Sequence, residues 1–387
     1  MGVIRTLILS GGGGRGAFHA GVYQYLAQAV KPGVDGTHQG AWTPDIVVGT
    51  SIGAVNGAAI VQGTSADSLV EFWRGLKERD IEGLPPSMSP LARWTVNQVM
   101  KSMIGVDLPA VHPQDSTSPK GEKAWTLLPK LGKFGNWLLG RWSNLLDTGP
   151  LQQTMIGRLG LDEEKIAESP KTLLINATNV STGKRMTFSN KPVFRAESGE
   201  LRKDVVPGIT MRRIIASCSI PLVYPWTYDP DTRAVYWDGA VVNNTPIGVA
   251  MDAASDRPGE DVMEAIVVLM TPWRDVNQDG QPDEPPLPKD FGEAVTWALD
   301  WMLLASFRER LDLIEAFNKL GKIGRQIGDP VLSKYREVRV SIVAPDEFFS
   351  AARIIDYDDW LSHLIDLGYN AAETVFRTNF PADNQAE

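Results

Sequence analysis

The opening of the chain constrains its fold more than any other stretch. Val3-Ile4-Arg5-Thr6-Leu7-Ile8-Leu9 is short and largely apolar, and Gly11-Gly12-Gly13-Gly14-Arg15-Gly16 follows at once. Such a run before a glycine cluster predicts a strand buried in a parallel sheet. Ala17 to Val30 then carries Val22, Leu26 and Ala29 at helical spacing. Asp45-Ile46-Val47-Val48 and the stretch from Ile52 to Val61 repeat the arrangement. Strand–loop–helix units in succession predict an α/β fold, with a central, mostly parallel sheet and helices on both faces.

Later elements extend the pattern. Lys171 to Ala177 reads as a strand, Ser181-Thr182-Gly183-Lys184 as a turn, and Arg185 to Phe188 as the second arm of a hairpin. Val235-Tyr236-Trp237 leads into Asp238-Gly239-Ala240, and Glu264 to Met270 reads as a buried strand. Phe291 to Leu320 is a long helical pattern, Glu337 to Ala344 a late strand, and Asp358 to Phe376 a closing helix. Residues 81–147 break the rhythm with Pro85-Pro86, Pro90, Pro109, Pro113 and Pro119. We expect one domain over residues 1–387, with a core from about 5 to 275 and an inserted cap at 81–147. Residues 276–387 then hold an acidic loop, C-terminal helices and a late strand.

Composition narrows the function. Apolar residues make up 43% and charged residues 22%, which suits a folded globular chain. Lys and Arg number 38 against 47 Asp and Glu, a net charge of −9, so nucleic acid is not the expected partner. The single cysteine, Cys218, has no internal disulfide partner. No run of about 20 apolar residues predicts a membrane span. Met1 to Leu9 is too short for a signal peptide. Met1 to Thr6 formally fits a myristoylation pattern, but the same residues read as the buried first strand. The expected location is the cytoplasm, with or without peripheral membrane contact.

Gly49-Thr50-Ser51-Ile52-Gly53 fits G-x-S-x-G between a strand and a helix. A serine on that turn projects its hydroxyl clear of the sheet, and the flanking glycines let backbone and substrate come close. In Gly11 to Gly16, consecutive glycines free backbone amides to converge on one anion. The amide of Ile52 is a further donor. The same loop also fits the dinucleotide fingerprint G-x-G-x-x-G at Gly11, Gly13 and Gly16. A nucleophilic serine needs a base. Of His19, His38, His112 and His363, only His363 fits the Ser–acid–His order of common hydrolases, and it sits in an ordinary amphipathic helical pattern. Asp238 is the better candidate, provided its surroundings are dry enough to keep it basic.

Together these three motifs resemble the patatin-like phospholipase family. The family's G-G-G-x-R/K-G matches Gly11 to Gly16, its G-x-S-x-G matches Gly49 to Gly53, and its D-G-A/G matches Asp238 to Ala240. Weaker stretches recur in order: Ala177-Thr178-Asn179 with Thr182-Gly183, Ala216 to Pro221, and Asn244-Thr245-Pro246. The resemblance implies a dyad without histidine, Ser51 as nucleophile and Asp238 as base. It implies an oxyanion hole from the amides of Gly12, Gly13, Gly14 and Arg15, beside Ile52, with Gly11, Gly16, Gly49, Gly53 and Gly239 supporting the turns. The expected reaction is ester hydrolysis of phospholipids or lysophospholipids, with a lipid ester as partner and no cofactor. Two alternatives stay open: a nucleotide-binding oxidoreductase using Gly11 to Gly16, and a catalytically silent lipid-binding protein of the same fold.

Three features admit more than one reading. Arg15 either steadies the glycine loop, attracts a phosphate head group, or is solvated at the start of the helix. Residues 120–146 combine Trp125, Phe134, Trp137 and Trp142 with Lys120, Lys123, Lys130, Lys133 and Arg141. They read as a packed lid or as a contact with an anionic membrane surface. Asp275 to Gly280 and Asp283 match the first part of a calcium loop, but Pro286 stands where its last acidic ligand belongs. No metal site is expected.

Overall fold

The computed structural model describes residues 2–28, 42–81, 146–195, 198–221, 223–255, 260–273, 287–288, 291–349 and 360–379. Almost all of the expected cap, with its basic aromatic stretch, and the Asp275–Asp283 loop lie outside the described residues. The described residues form nine strands in one sheet. These are β1 (Gly2–Leu9), β2 (Ile46–Thr50), β3 (Thr172–Asn179), β4 (Arg185–Ser189), β5 (Val205–Pro207), β6 (Thr227–Asp229), β7 (Ala234–Asp238), β8 (Glu260–Val268) and β9 (Glu337–Val343). The order is β5-β4-β3-β2-β1-β8-β9, with β7 also pairing β3 and β6 pairing β7. The central run β3-β2-β1-β8-β9 is wholly parallel, whereas β4 and β7 run antiparallel to β3.

Parallel strands need crossovers, and the helices that supply them cover both faces. The helices are α1 (Ala17–Gln28), α2 (Ile52–Gln62), α3 (Ala66–Arg74), α4 (Glu78–Ile81), α5 (Gly149–Gly157), α6 (Glu163–Glu168), α7 (Met211–Ser217), α8 (Ile247–Ser255), α9 (Phe291–Ile327) and α10 (Trp360–Asn379). Leu7, Leu9, Val47, Leu173 and Ile175 pack with α1, α2, α3 and α10 in one core. Ile4, Ile8, Ile46, Val48 and Leu174 pack with α8 and α9 in the other. The period-two alternation of strand side chains divides the two cores, which is why these runs are apolar at nearly every position.

The expected α/β architecture is the observed one, and the elements differ from expectation mainly at their ends. α9 runs to Ile327, past the expected Leu320. Its extra turns contain Gly321 and Gly324, poor helix formers in isolation. A Cβ on Gly321 would lie 2.5 Å from the Tyr335 carbonyl, and one on Gly324 2.5 Å from Leu332 Cβ. Close packing on the following segment carries the helix through both. β8 begins at Glu260, ahead of the expected Glu264, because it pairs along the whole of β1.

The register along β3 decides where the site forms. β4 occupies one edge of β3 from Leu174 to Thr178. On the other edge, β2 pairs as far as Thr50 opposite Asn176, and β7 ends with Asp238 opposite Ala177. β2 and β7 run in opposite directions, so their C-terminal ends abut.

Candidate active site

Ser51 occupies the turn between β2 and α2, with φ 56° and ψ −129°. A positive φ is uncommon for a residue with a side chain, and holding it requires support from the surroundings. Three contacts provide that support. The Ser51 amide donates to Ser217 Oγ at 2.8 Å, and the Ser217 hydroxyl donates to the Asn176 carbonyl at 2.6 Å. The Ser51 carbonyl accepts from the Ala54 amide at 2.8 Å. A Cβ at Gly53 would lie 2.2 Å from the Leu9 carbonyl, so only glycine lets α2 start this close to β1.

Asp238 ends β7 and caps the short turn Gly239–Val241, its Oδ1 accepting from the Ala240 amide at 2.8 Å. Its backbone is held on both sides. The Thr178 hydroxyl donates to its carbonyl at 2.9 Å, and its amide donates to the Ser219 carbonyl at 2.9 Å. Asn176 Nδ2 donates to the Gly239 carbonyl at 3.2 Å and to the Asn243 carbonyl, closing the turn over β3. The Ser51 side chain lies beside the Asp238 carboxyl and favours its charged form. Both residues are buried, at 4% and 2% exposure. Burial raises the Asp238 carboxyl from the ordinary 3.8 to about 7, although Ser51 beside it and the bond from the Ala240 amide favour the charged form. A carboxylate of that basicity beside a serine hydroxyl can take the proton as the oxygen attacks.

The glycine loop packs directly on the serine turn. The Gly11 amide donates to Asn244 Oδ1 at 2.7 Å, and a Cβ on Gly11 would lie 2.9 Å from Ser51 Cβ. Gly13 to Gly16 form a 3-10 turn whose first residue, Gly13, has φ 58°. The amides of Gly12, Gly13 and Gly14 precede the hydrogen bonds of that turn, as the amide of Ile52 precedes those of α2, so they can meet a developing negative charge.

Arg15 corrects two expectations. Its amide donates to the Gly12 carbonyl at 3.2 Å, so this expected oxyanion donor is already engaged. Its guanidinium is neither solvated nor presented to a head group: it is 2% exposed and paired with Asp300 at 3.0 Å. The remaining reading, that it steadies the loop, matches this geometry. The dinucleotide alternative meets a different obstacle, because Gly11 is pressed against Ser51 and Asn244.

The two described histidines, His19 and His363, have partners other than the dyad. His363 lies on the exposed face of α10, its ring 6.5 Å from that of Trp360. His19 is buried in α1, where Asn56 Nδ2 donates to its Nδ1 at 3.2 Å, and burial lowers its pKa to about 3. Among the described residues, no His, Cys, Asp and Glu group is placed to hold a metal, and no helix is long and apolar enough to cross a membrane.

The weaker sequence stretches acquire roles here. Thr178, Ser217, Ser219 and Asn244 each hold the dyad or the glycine loop through one of the bonds above. Sequence reasoning missed Asn176, whose polar side chain in an otherwise apolar strand was the available signal. It also missed Asp300, which sits in a helical pattern with Trp297, Trp301 and Leu304 and gives no local sign of a distant partner.

Residues 7–251 match the Patatin family, described as patatin-like phospholipase. The match covers more than half the chain and contains all three motifs, and the chain belongs to this family. Members of the family are lipid hydrolases acting on esters. Similar solved structures include VipD from Legionella pneumophila, at 13% identity and TM-score 0.39 over 97% of this chain and 67% of that one. They also include human GIVD cytosolic phospholipase A2, at 13% identity and TM-score 0.27 over 68% of this chain and 40% of that one. No curated protein sequence matches the chain.

Proposed function

We propose that the protein hydrolyses carboxylic esters of phospholipids or lysophospholipids through an acyl-enzyme on Ser51. Ser51 Oγ attacks the ester carbonyl and its proton passes to Asp238. The amides of Gly12, Gly13, Gly14 and Ile52 hold the oxyanion of the tetrahedral intermediate. As the intermediate collapses, the C–O bond to the alcohol breaks and Asp238 returns the proton to the leaving oxygen. Water then attacks the acyl-enzyme, giving its proton to Asp238. The fatty acid leaves, and the proton returns to Ser51 Oγ. The observation that carries this reading is the meeting of Ser51, on its positive-φ turn, with the buried carboxyl of Asp238 where the ends of β2 and β7 abut.

The test is release of fatty acid from phospholipids, lysophospholipids and short p-nitrophenyl esters. Wild type is compared with folded Ser51→Ala, Asp238→Asn and His363→Ala. The proposal expects loss of turnover in the first two and retention in the third. Turnover that survives Ser51→Ala would overturn it, as would a wild type inactive on every ester. Liposome binding without turnover would favour the silent lipid-binding alternative. The expected peripheral membrane contact through residues 120–146 is part of the same proposal, and deleting that stretch should weaken liposome binding.

A further inference from the structure

Arg15 belongs to the glycine loop that packs on the serine turn, yet its guanidinium is held by Met270, Asp300 and Phe349, all from beyond residue 251. Nη1 donates to Asp300 Oδ1 at 3.0 Å, to Oδ2 at 3.3 Å and to the Met270 carbonyl at 3.3 Å. Nη2 donates to the Phe349 carbonyl at 3.3 Å. Asp300 is 2% exposed on α9, and Thr271 as well as Arg15 favours its charged form. One cation therefore joins the segment after β8, the long helix and the segment after β9. Gly12 packs on the same Met270, since a Cβ there would lie 2.6 Å from its Cγ.

A buried ion pair is a poor source of stability, because desolvating two charges offsets most of their attraction. Its bonds are directional, however, and they bear on a backbone within three residues of the expected oxyanion donors. Such donors work only where they meet the charge as it develops, so a small drift of the loop weakens them.

We propose that Asp300 is a positioning residue, holding the oxyanion loop in register through Arg15, and that α9 thereby completes a site whose motifs all lie before it. The inference rests on the hydrolase reading above.

The experiment uses the full chain. Wild type, Asp300→Asn and the double variant Arg15→Met/Asp300→Leu are compared for thermal stability, kcat and KM on a short p-nitrophenyl ester. The rate at which an alkyl fluorophosphonate labels Ser51 is measured in parallel. In that labelling Ser51 Oγ bonds phosphorus, fluoride leaves, and the serine proton passes to Asp238. Asp300→Asn should lower kcat by about tenfold or more with KM within about twofold, and slow labelling in parallel. The double variant replaces both charges by apolar groups, so its Tm should return towards that of wild type while kcat stays low. Wild-type kcat in either folded variant would overturn the proposal and leave the pair a packing feature. A wild type that neither turns over esters nor is labelled on Ser51 would instead mark failure of the hydrolase reading, and this proposal would fall with it.

Discussion

Ser51 and Asp238 meet because the strands that carry them end against consecutive residues of β3: Thr50 lies opposite Asn176 and Asp238 opposite Ala177. One residue of register therefore separates the two chain ends. A slip of β7 along β3 by one residue would turn Asp238 to the opposite face of the sheet. The Thr178 and Ser219 bonds to the Asp238 backbone hold that register.

The pH dependence of turnover should report Asp238. Only the ionised carboxylate can accept the serine proton, and burial raises its pKa to about 7. kcat/KM should rise through an acid limb centred near pH 7 and then level off. A limb near pH 4 in a pH–rate profile would contradict the burial argument.

The same burial sets a stability effect of opposite sense. The folded pKa of Asp238 lies above its ordinary 3.8, so its contribution is fully present below pH 3.8 and is lost as pH rises through about 7. Asp238→Asn has no proton to lose. Its Tm relative to wild type should climb between pH 4 and 7, following a difference of at most about 1.4 kcal/mol per pH unit. Parallel Tm curves for the two proteins would count against it.

His19 gives a slope on the acid side. Burial lowers its folded pKa to about 3 while the unfolded imidazole takes a proton near 6.5, so stability falls as pH drops through that window. His19→Gln should be less acid-sensitive than wild type, by up to about 1.4 kcal/mol per pH unit, with turnover near wild type at pH 8. Urea unfolding at pH 4, 5 and 6 would reveal the difference.

Ser217→Ala should separate the turn from the chemistry. It leaves the Ser51 amide without its 2.8 Å acceptor while touching neither dyad side chain. A buried amide left unpaired costs about 1–3 kcal/mol, so denaturant melting should show a loss of that size. Turnover should drop by more than the unfolded fraction explains, because the positive-φ turn relaxes. Ser217→Thr, which keeps a hydroxyl, should recover part of both.

Much of this protein was legible in one dimension. The parallel core and the serine turn follow from local chemistry: apolar strands, a glycine loop, and a serine between glycines at a strand–helix junction. Asp238 was legible as a candidate because Asp-Gly-Ala follows an apolar strand. Neither its contact with Ser51 nor the dryness that raises its pKa is a local property. Both come from pairing β2 and β7 along one edge of β3. The sequence could not distinguish the three readings of Arg15 either, because its partner Asp300 is 285 residues away and looks like any acidic residue in an amphipathic helix. Local sequence determined which chemical groups are present and the turns that present them. Tertiary structure alone decided which groups meet and how far water is excluded, since both depend on strand register and packing between segments remote in the chain.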